Sequence, residues 1–232
     1  IIKMNNKQTL VCLLLDMTGS MMQWKQATID AYNEYVSALQ DNSETENFLM
    51  SVSIFNSIIG RERVADKSDI KNAPLLTAER YKPDGSTPLY DAIANTVQEV
   101  SDHDGPVLFV IQTDGEENAS QKYKKSDIVT LIAEKTRDSW QFIYLACDLD
   151  AMIEGEKLGI AATSTLSYST TTARAAMRTV SDATVSYAAA GSMPTPDFFG
   201  SKDSVDLRAD NTVSSNQTSK KMGKQNNKQR KV

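Results

Sequence analysis

The stretch LVCLLLDMTGSM, residues 10–21, runs from an apolar segment straight into Asp16, Thr18 and Ser20 at alternate positions. A carboxylate and two hydroxyls spaced this way have two uses. Thr18 or Ser20 can cap the following helix, because such hydroxyls accept from unpaired first-turn N–H groups. Alternatively, the three oxygens face a common ligand as the chain turns, with Gly19 permitting a tight path. Two distant segments deliver matching groups. GSTPLYD brings Thr87 to the start of a helical pattern, and VIQTDGEEN brings Asp114 to the end of an apolar run. Asp16, Thr18, Ser20, Thr87 and Asp114 form an oxygen-only set. Such a set suits hard cations, Mg²⁺ first with Mn²⁺ or Ca²⁺ as alternatives, and not softer metals. Few charged ligands leave such an ion electrophilic, with a coordination position open.

For these groups to meet, their segments must end at one edge of one sheet. Strand-length runs cover 9–16, 46–56, 106–114 and 140–150, a polar run at 60–67 fits a sheet edge, and STLSYS (164–169) fits a sixth strand. Helical patterning covers 22–40, with Ala27, Ala31, Tyr35 and Leu39 on one face. A helix over 88–101 opens on Pro88, with Thr87 as a plausible cap. Further helices are expected at 127–139, capped by Ser126 or Asp127, at 151–160, and at 170–190. Strands alternating with helices predict an α/β, Rossmann-like fold: a mostly parallel central sheet of about six strands, helices on both faces, and a C-terminal extension. In such sheets ligands bind at the carboxyl ends of strands, near a topological switch point.

Composition divides the chain into an α/β domain at 8–190 and a polar, basic arm at 191–232, with 195–232 read as extended or disordered. The net charge of −5 hides a tail in which Lys220, Lys221, Lys224, Lys228, Arg230 and Lys231 occur without an acid. Contact of that tail with nucleic acid or an acidic partner is the lesser reading, a solvated arm the commoner one. Cys12 and Cys147 lie in apolar runs and are expected as buried thiols without a disulfide framework. The single His103 excludes multi-histidine metal sites. No apolar run approaches the ~18 residues of a membrane span, and LVCLLL lacks the form of a secretory signal. A cytoplasmic protein without membrane contact is expected. Residues 1–3 precede the first methionine, Met4, and are read as a remnant or the continuation of a longer chain.

LLLDMTGSM, GSTPLYDAI and VIQTDGEENAS together resemble the von Willebrand factor type A family in its intracellular bacterial and phage form. The resemblance spans roughly 8–190. It implies a metal-ion-dependent adhesion site (MIDAS). Asp16 then matches the first acid, Thr18 and Ser20 the two hydroxyls, Thr87 the loop threonine and Asp114 the second acid. Thr18 stands where serine is commoner but retains the hydroxyl. The resemblance further implies a non-enzymatic module that binds a protein partner through its Asp or Glu carboxylate at Mg²⁺. The alternative is a structural component of a phage particle or multi-protein bacterial complex, able to self-assemble, with the tail as an interaction arm and a virion location. Phosphoryl transfer of the haloacid-dehalogenase type would need D-x-D-x-T. Thr18 replaces the second acid, and no phosphate-cradling G-x-x-x-x-G-K occurs.

Around the set, Asp91 is expected as a dipole-favoured surface acid or one standing behind the ligands. Glu116, Glu117 and Asn118 are expected as a solvated loop. Asp148 and Asp150 are expected at the rim and not as ligands. Met17, Met21, Met22 and Trp24 are expected to divide between core and exposed contacts.

Overall fold

The computed structural model describes residues 7–199, except 46, 115, 116 and 148, and leaves out the side chains of 149–152. Six strands form one sheet: β1 (Leu10–Asp16), β2 (Leu49–Asn56), β3 (Gly60–Asp69), β4 (Val107–Thr113), β5 (Trp140–Ala146) and β6 (Thr165–Ser167). Their order is β3-β2-β1-β4-β5-β6. All neighbours run parallel except β2 with β3. The helices are α1 (Lys25–Gln40), α2 (Leu89–Val100), α3 (Lys125–Arg137), α4 (Leu149–Lys157) and α5 (Ala173–Ala189). This is the mostly parallel α/β architecture expected from the alternating patterns.

Every residue of β1, β4 and β5 is buried. Helices on both faces explain why these strands read as continuous apolar runs and not as alternating ones. Alternation nevertheless sorts their side chains into two cores. Val11, Leu13 and Leu15 pack with Tyr32, Tyr35 and Val36 of α1 and with Met177 and Val180 of α5. Leu10, Cys12 and Leu14 pack with Ile93 and Val97 of α2 and with Ile128 and Ile132 of α3. Cys12 and Cys147 are buried free thiols.

β3 is the polar edge strand. Arg63 pairs with Asp66 within the strand, and the strand's other ion pairs reach residues outside it. Arg61 and Arg63 both reach Glu99 at the end of α2, Lys67 reaches Asp102, and Glu62 accepts from Arg80 at 2.8 Å.

Several boundaries differ from expectation. β5 ends at Ala146 and not at Asp150, because β4 ends at Thr113 and β6 at Ser167, the last partners of Ala146. The chain then enters α4 at Leu149. α1 starts at Lys25, after tight 3₁₀ turns over Gly19–Trp24. α3 starts at Lys125, and Asp127 acts from within the first turn, its Oδ2 accepting from the Lys124 N–H at 2.8 Å.

The segment after α5, expected to begin the arm, lies against the domain through residue 199. Phe198 and Phe199 are buried in the α1–α5 core, with the Phe198 ring 6.0 Å from Tyr187. The hydroxyls of Ser192 and Thr9 are 2.6 Å apart, and Thr195 N–H donates to Gln141 Oε1 at 2.8 Å. Residues 1–3, Glu116, Asp148, the Asp150 side chain and the basic tail lie outside the described residues. Among the described residues, no helix is long and apolar enough to cross a membrane.

Candidate metal centre

The chain leaves β1 toward β2 on one side, while β4 lies on the other. The carboxyl ends of β1 and β4 therefore flank the switch point, where an open α/β sheet forms its ligand crevice. Asp16, the last residue of β1, sits there fully buried. Thr113 at the end of β4 donates its hydroxyl to Asp16 Oδ2 at 2.6 Å, and the Thr18 N–H donates to Oδ1 at 2.8 Å. Tyr81 donates its hydroxyl to the Asp16 carbonyl. Burial pushes the Asp16 carboxyl up to about 6, the hydrogen bonds from Thr113 and Thr18 oppose that rise, and the charge of Asp114 adds to it.

The Thr18 and Ser20 hydroxyls lie 3.2 Å apart. Thr18 occupies the cap position of the 3₁₀ segment without a side-chain capping bond, and α1 itself begins after Trp24. Capping therefore does not account for Thr18. Between the two hydroxyls, Gly19 donates its N–H to the Gly85 carbonyl at 2.9 Å. A Cβ on Gly19 would lie 3.2 Å from that oxygen. Gly85 itself has φ +73°, and a Cβ there would lie 2.8 Å from Ser57 Oγ and 2.9 Å from Ile58 Cγ1. Two glycines thus let the loop before α2 close onto the turn after β1. Ser57 and Ser86 fasten that loop to the end of β2. Ser57 N–H donates to the Ser86 carbonyl at 2.9 Å, and Ser86 N–H donates to Ser57 Oγ at 2.8 Å.

Thr87 follows, buried, but it does not cap α2 as expected. Pro88 holds the cap position and has no N–H to satisfy. Two donors of the first turn are met from the loop after β4: Tyr90 N–H donates to Glu117 Oε2 at 2.9 Å, and Asp91 N–H to Ser120 Oγ at 3.1 Å. Asn118 Oδ1 accepts from Thr87 N–H at 2.8 Å, and Asn118 N–H donates to the Thr87 carbonyl at 3.1 Å. Glu117 Oε1 also accepts from Ala119 and Ser120. Glu117 and Asn118 are therefore structural anchors, half-buried and exposed respectively, and more than the solvated loop expected. Asp91 answers from α2, its carboxylate accepting from the N–H groups of Gln121, Lys122 and Tyr123.

The predicted residues thus occupy the carboxyl edge at the ends and loops of β1, β2 and β4. Asp16, Thr18 and Ser20 form one hydrogen-bonded turn. Asp114 directly follows Thr113, and Thr87 is tied to Asn118 and, through Gly85, to Gly19. Ser20 is exposed and Asp114 half-buried, while Asp16, Thr18 and Thr87 are buried. Around them, Met17 and Met21 are core, Trp24 packs edge-on to Tyr168, and Met22 is 57% exposed. Among the described residues, no three His, Cys, Asp or Glu side chains gather as a metal cluster. A cation here would draw on hydroxyls for most of its side-chain donors. The oxygen-only chemistry fits a hard divalent ion, and the two neighbouring hydroxyls are available to one. Sequence reasoning missed Thr113, Tyr81, Gly85, Glu117 and Asn118. Thr113 and Asn118 stand inside the QTDGEEN stretch that carried Asp114, whereas Tyr81 has no local signal.

No family model and no curated protein matches the chain. Solved structures do match. Proximal thread matrix protein 1 from the mussel byssus, in a structure with a zinc-occupied MIDAS motif, is 19% identical with a TM-score of 0.55, over 76% of this chain and 48% of that one. The manganese-loaded TRAP protein of Plasmodium vivax is 16% identical with a TM-score of 0.54, over 74% and 72%. The vWF domain of a type V pili tip protein from Porphyromonas gingivalis is 8% identical with a TM-score of 0.57, over 76% and 94%. The chain spans about half the length of the byssus protein. At these identities the likeness shows the fold, the α/β fold of von Willebrand factor A domains.

Proposed function

We propose that the chain is a non-enzymatic, metal-dependent protein-binding module. Asp16, Thr18, Ser20, Thr87 and Asp114 would hold the divalent cation, Mg²⁺ by the chemistry of the oxygen donors. The observation that carries this reading is the Thr18–Ser20 hydroxyl pair, 3.2 Å apart beside a buried carboxylate and unexplained by helix capping. The zinc-occupied motif of the byssus protein and the manganese-loaded parasite protein support the same class of site on this fold.

When bound, the ion supplies a positive centre whose coordination a partner's Asp or Glu carboxylate completes. The chain's own residues do the rest. Thr113 and the Thr18 N–H orient both oxygens of Asp16. The two-glycine contact closes the Thr87 loop onto the turn. Exposed Ser20 and half-buried Asp114 leave an approach from solvent.

Calorimetric titration with Mg²⁺ and with Mn²⁺ on the wild type and Asp16→Ala tests the proposal. We expect binding by the wild type and its loss in the variant. Equal binding by both, or none by the wild type, removes the metal from the reading. Turnover of a generic phosphatase substrate that Asp16→Asn abolishes would replace it with an enzymatic one.

A further inference from the structure

We propose that Asn118 is the positioning residue of the metal centre: it holds Thr87 where its hydroxyl reaches the ion. This rests on the metal-binding reading above and adds to it a residue outside the five oxygens.

The inference starts from how Thr87 is held. It lies between Gly85, which needs a left-handed backbone, and Pro88, which has no N–H and starts no hydrogen bond. A loop threonine so placed has its backbone path decided from outside. Asn118 makes both backbone contacts of Thr87 that bridge to another loop, one through its side chain at 2.8 Å and one through its own N–H at 3.1 Å. These two bonds form a ring between the residues and hold the peptide planes on both sides of the Thr87 Cα, and with them the direction of its Cα–Cβ bond. Asn118 is itself exposed at its own position, yet its amide oxygen is committed inward.

The neighbours of Asn118 make this ring stiff. Glu117 fills both carboxylate oxygens, accepting from Tyr90, Ala119 and Ser120 N–H groups and from the Ser120 hydroxyl at 2.6–2.9 Å. Asp91 accepts three N–H groups from the other direction. Helix α2 and the loop after β4 thereby exchange acids, each satisfying the other's backbone donors. Because Asp114 begins that loop and Thr87 precedes that helix, two of the five oxygens are carried on one interlocked unit. Asn118 is the member of the unit that touches Thr87.

Groups that orient metal ligands from behind change affinity by about 10- to 100-fold on removal without touching the ion. The test is a double-mutant cycle on Mn²⁺ affinity with Thr87→Ala, Asn118→Ala and the pair, since coupled residues give non-additive effects. Electron paramagnetic resonance of bound Mn²⁺ serves as a second readout, and metal-free thermal melting as a control. Asn118→Asp keeps the acceptor for Thr87 N–H.

We expect Thr87→Ala and Asn118→Ala each to weaken Mn²⁺ by about tenfold or more. The double variant should be no weaker than Thr87→Ala alone, and the two single variants should share an altered Mn²⁺ spectrum. Asn118→Asp should retain the wild-type spectrum. A wild type that binds no Mn²⁺ defeats the metal-binding reading itself. If Thr87→Ala leaves affinity unchanged, Thr87 is not a ligand and the positioning claim falls with it. If Thr87→Ala weakens binding and Asn118→Ala does not, or if the two losses add, the metal centre stands and Asn118 does not act through Thr87. A variant that merely melts earlier, with unchanged Mn²⁺ affinity below its transition, also overturns the proposal.

Discussion

The Thr113 hydroxyl donates to Asp16 Oδ2 at 2.6 Å, joining the last residues of β4 and β1 across the switch point of the sheet. A buried carboxylate is thus held by a neutral group supplied by the adjacent strand. Replacing the donor with an isostere isolates its contribution. Thr113→Val keeps the branched shape and leaves Asp16 one hydrogen bond short, at a cost of about 1–3 kcal/mol. Urea unfolding should show a larger loss at pH 8 than at pH 5, because only the ionised carboxylate suffers fully from the missing donor.

Asp16 also predicts a pH dependence. Its carboxyl rises from the ordinary 3.8 to about 6 in the fold. Between those values the folded chain holds a proton that the unfolded chain has released, so stability must fall as pH rises. The contribution is greatest below 3.8, declines through the window and levels off above about 6, a total of about 3 kcal/mol. Denaturant midpoints of metal-free protein between about pH 4 and pH 8 should follow this decline in the wild type and lose this component in Asp16→Asn. Saturating Mg²⁺ should restore stability above about pH 6 and do little below it, where protons compete for the same oxygens.

Gly85 and Gly159 separate backbone strain from steric closure. Both have positive φ, +73° and +87°, but only Gly85 has neighbours where a Cβ would go. Gly159→Ala should cost about 1 kcal/mol. Gly85→Ala should cost more, about 2–4 kcal/mol, because Ser57 and Ile58 must also move. Mg²⁺ affinity should fall in Gly85→Ala and stay unchanged in Gly159→Ala, as calorimetry on the two variants would reveal.

Glu117 predicts a stability effect at a helix it does not belong to. Glu117→Ala leaves the Tyr90, Ala119 and Ser120 N–H groups without their carboxylate. The expected loss is about 1–3 kcal/mol. Hydrogen exchange should show the Tyr90 amide, at the start of α2, losing protection before amides in the middle of that helix.

The sheet was legible because its central strands are buried on both faces. Such strands must be unbroken apolar runs, and the polar residue that ends each run marks the carboxyl edge. Asp16 and Asp114 could therefore be placed from LVCLLLD and VLFVIQTD alone. The strand limit at Ala146 could not. The apolar run continues through Cys147 and a further Leu149 follows Asp148, whereas the strand stops where its neighbours' ladders stop, a property of β4 and β6. Glu117 and Asn118 were misread for a related reason. A polar, charged loop has the composition of a solvated segment, and only the three-dimensional meeting with Thr87 and the first turn of α2, whose cap residue Pro88 offers no side-chain oxygen, engages its side chains. Residues 192–199 read as the start of a polar arm because Ser, Pro and Thr outnumber the two phenylalanines that carry the packing.

The ion pairs along β3 bear on how copies of this domain could meet. A free strand edge invites pairing with another chain. Here Arg61, Arg63 and Lys67 turn instead toward Glu99 and Asp102 at the end of α2, and Glu62 toward Arg80. Exposed pairs of this kind add little to stability. Their effect is on adhesion between molecules: another strand laid against β3 would have to dislodge charges already neutralised within one chain. Continuous sheets growing outward from this side of the domain are thereby discouraged.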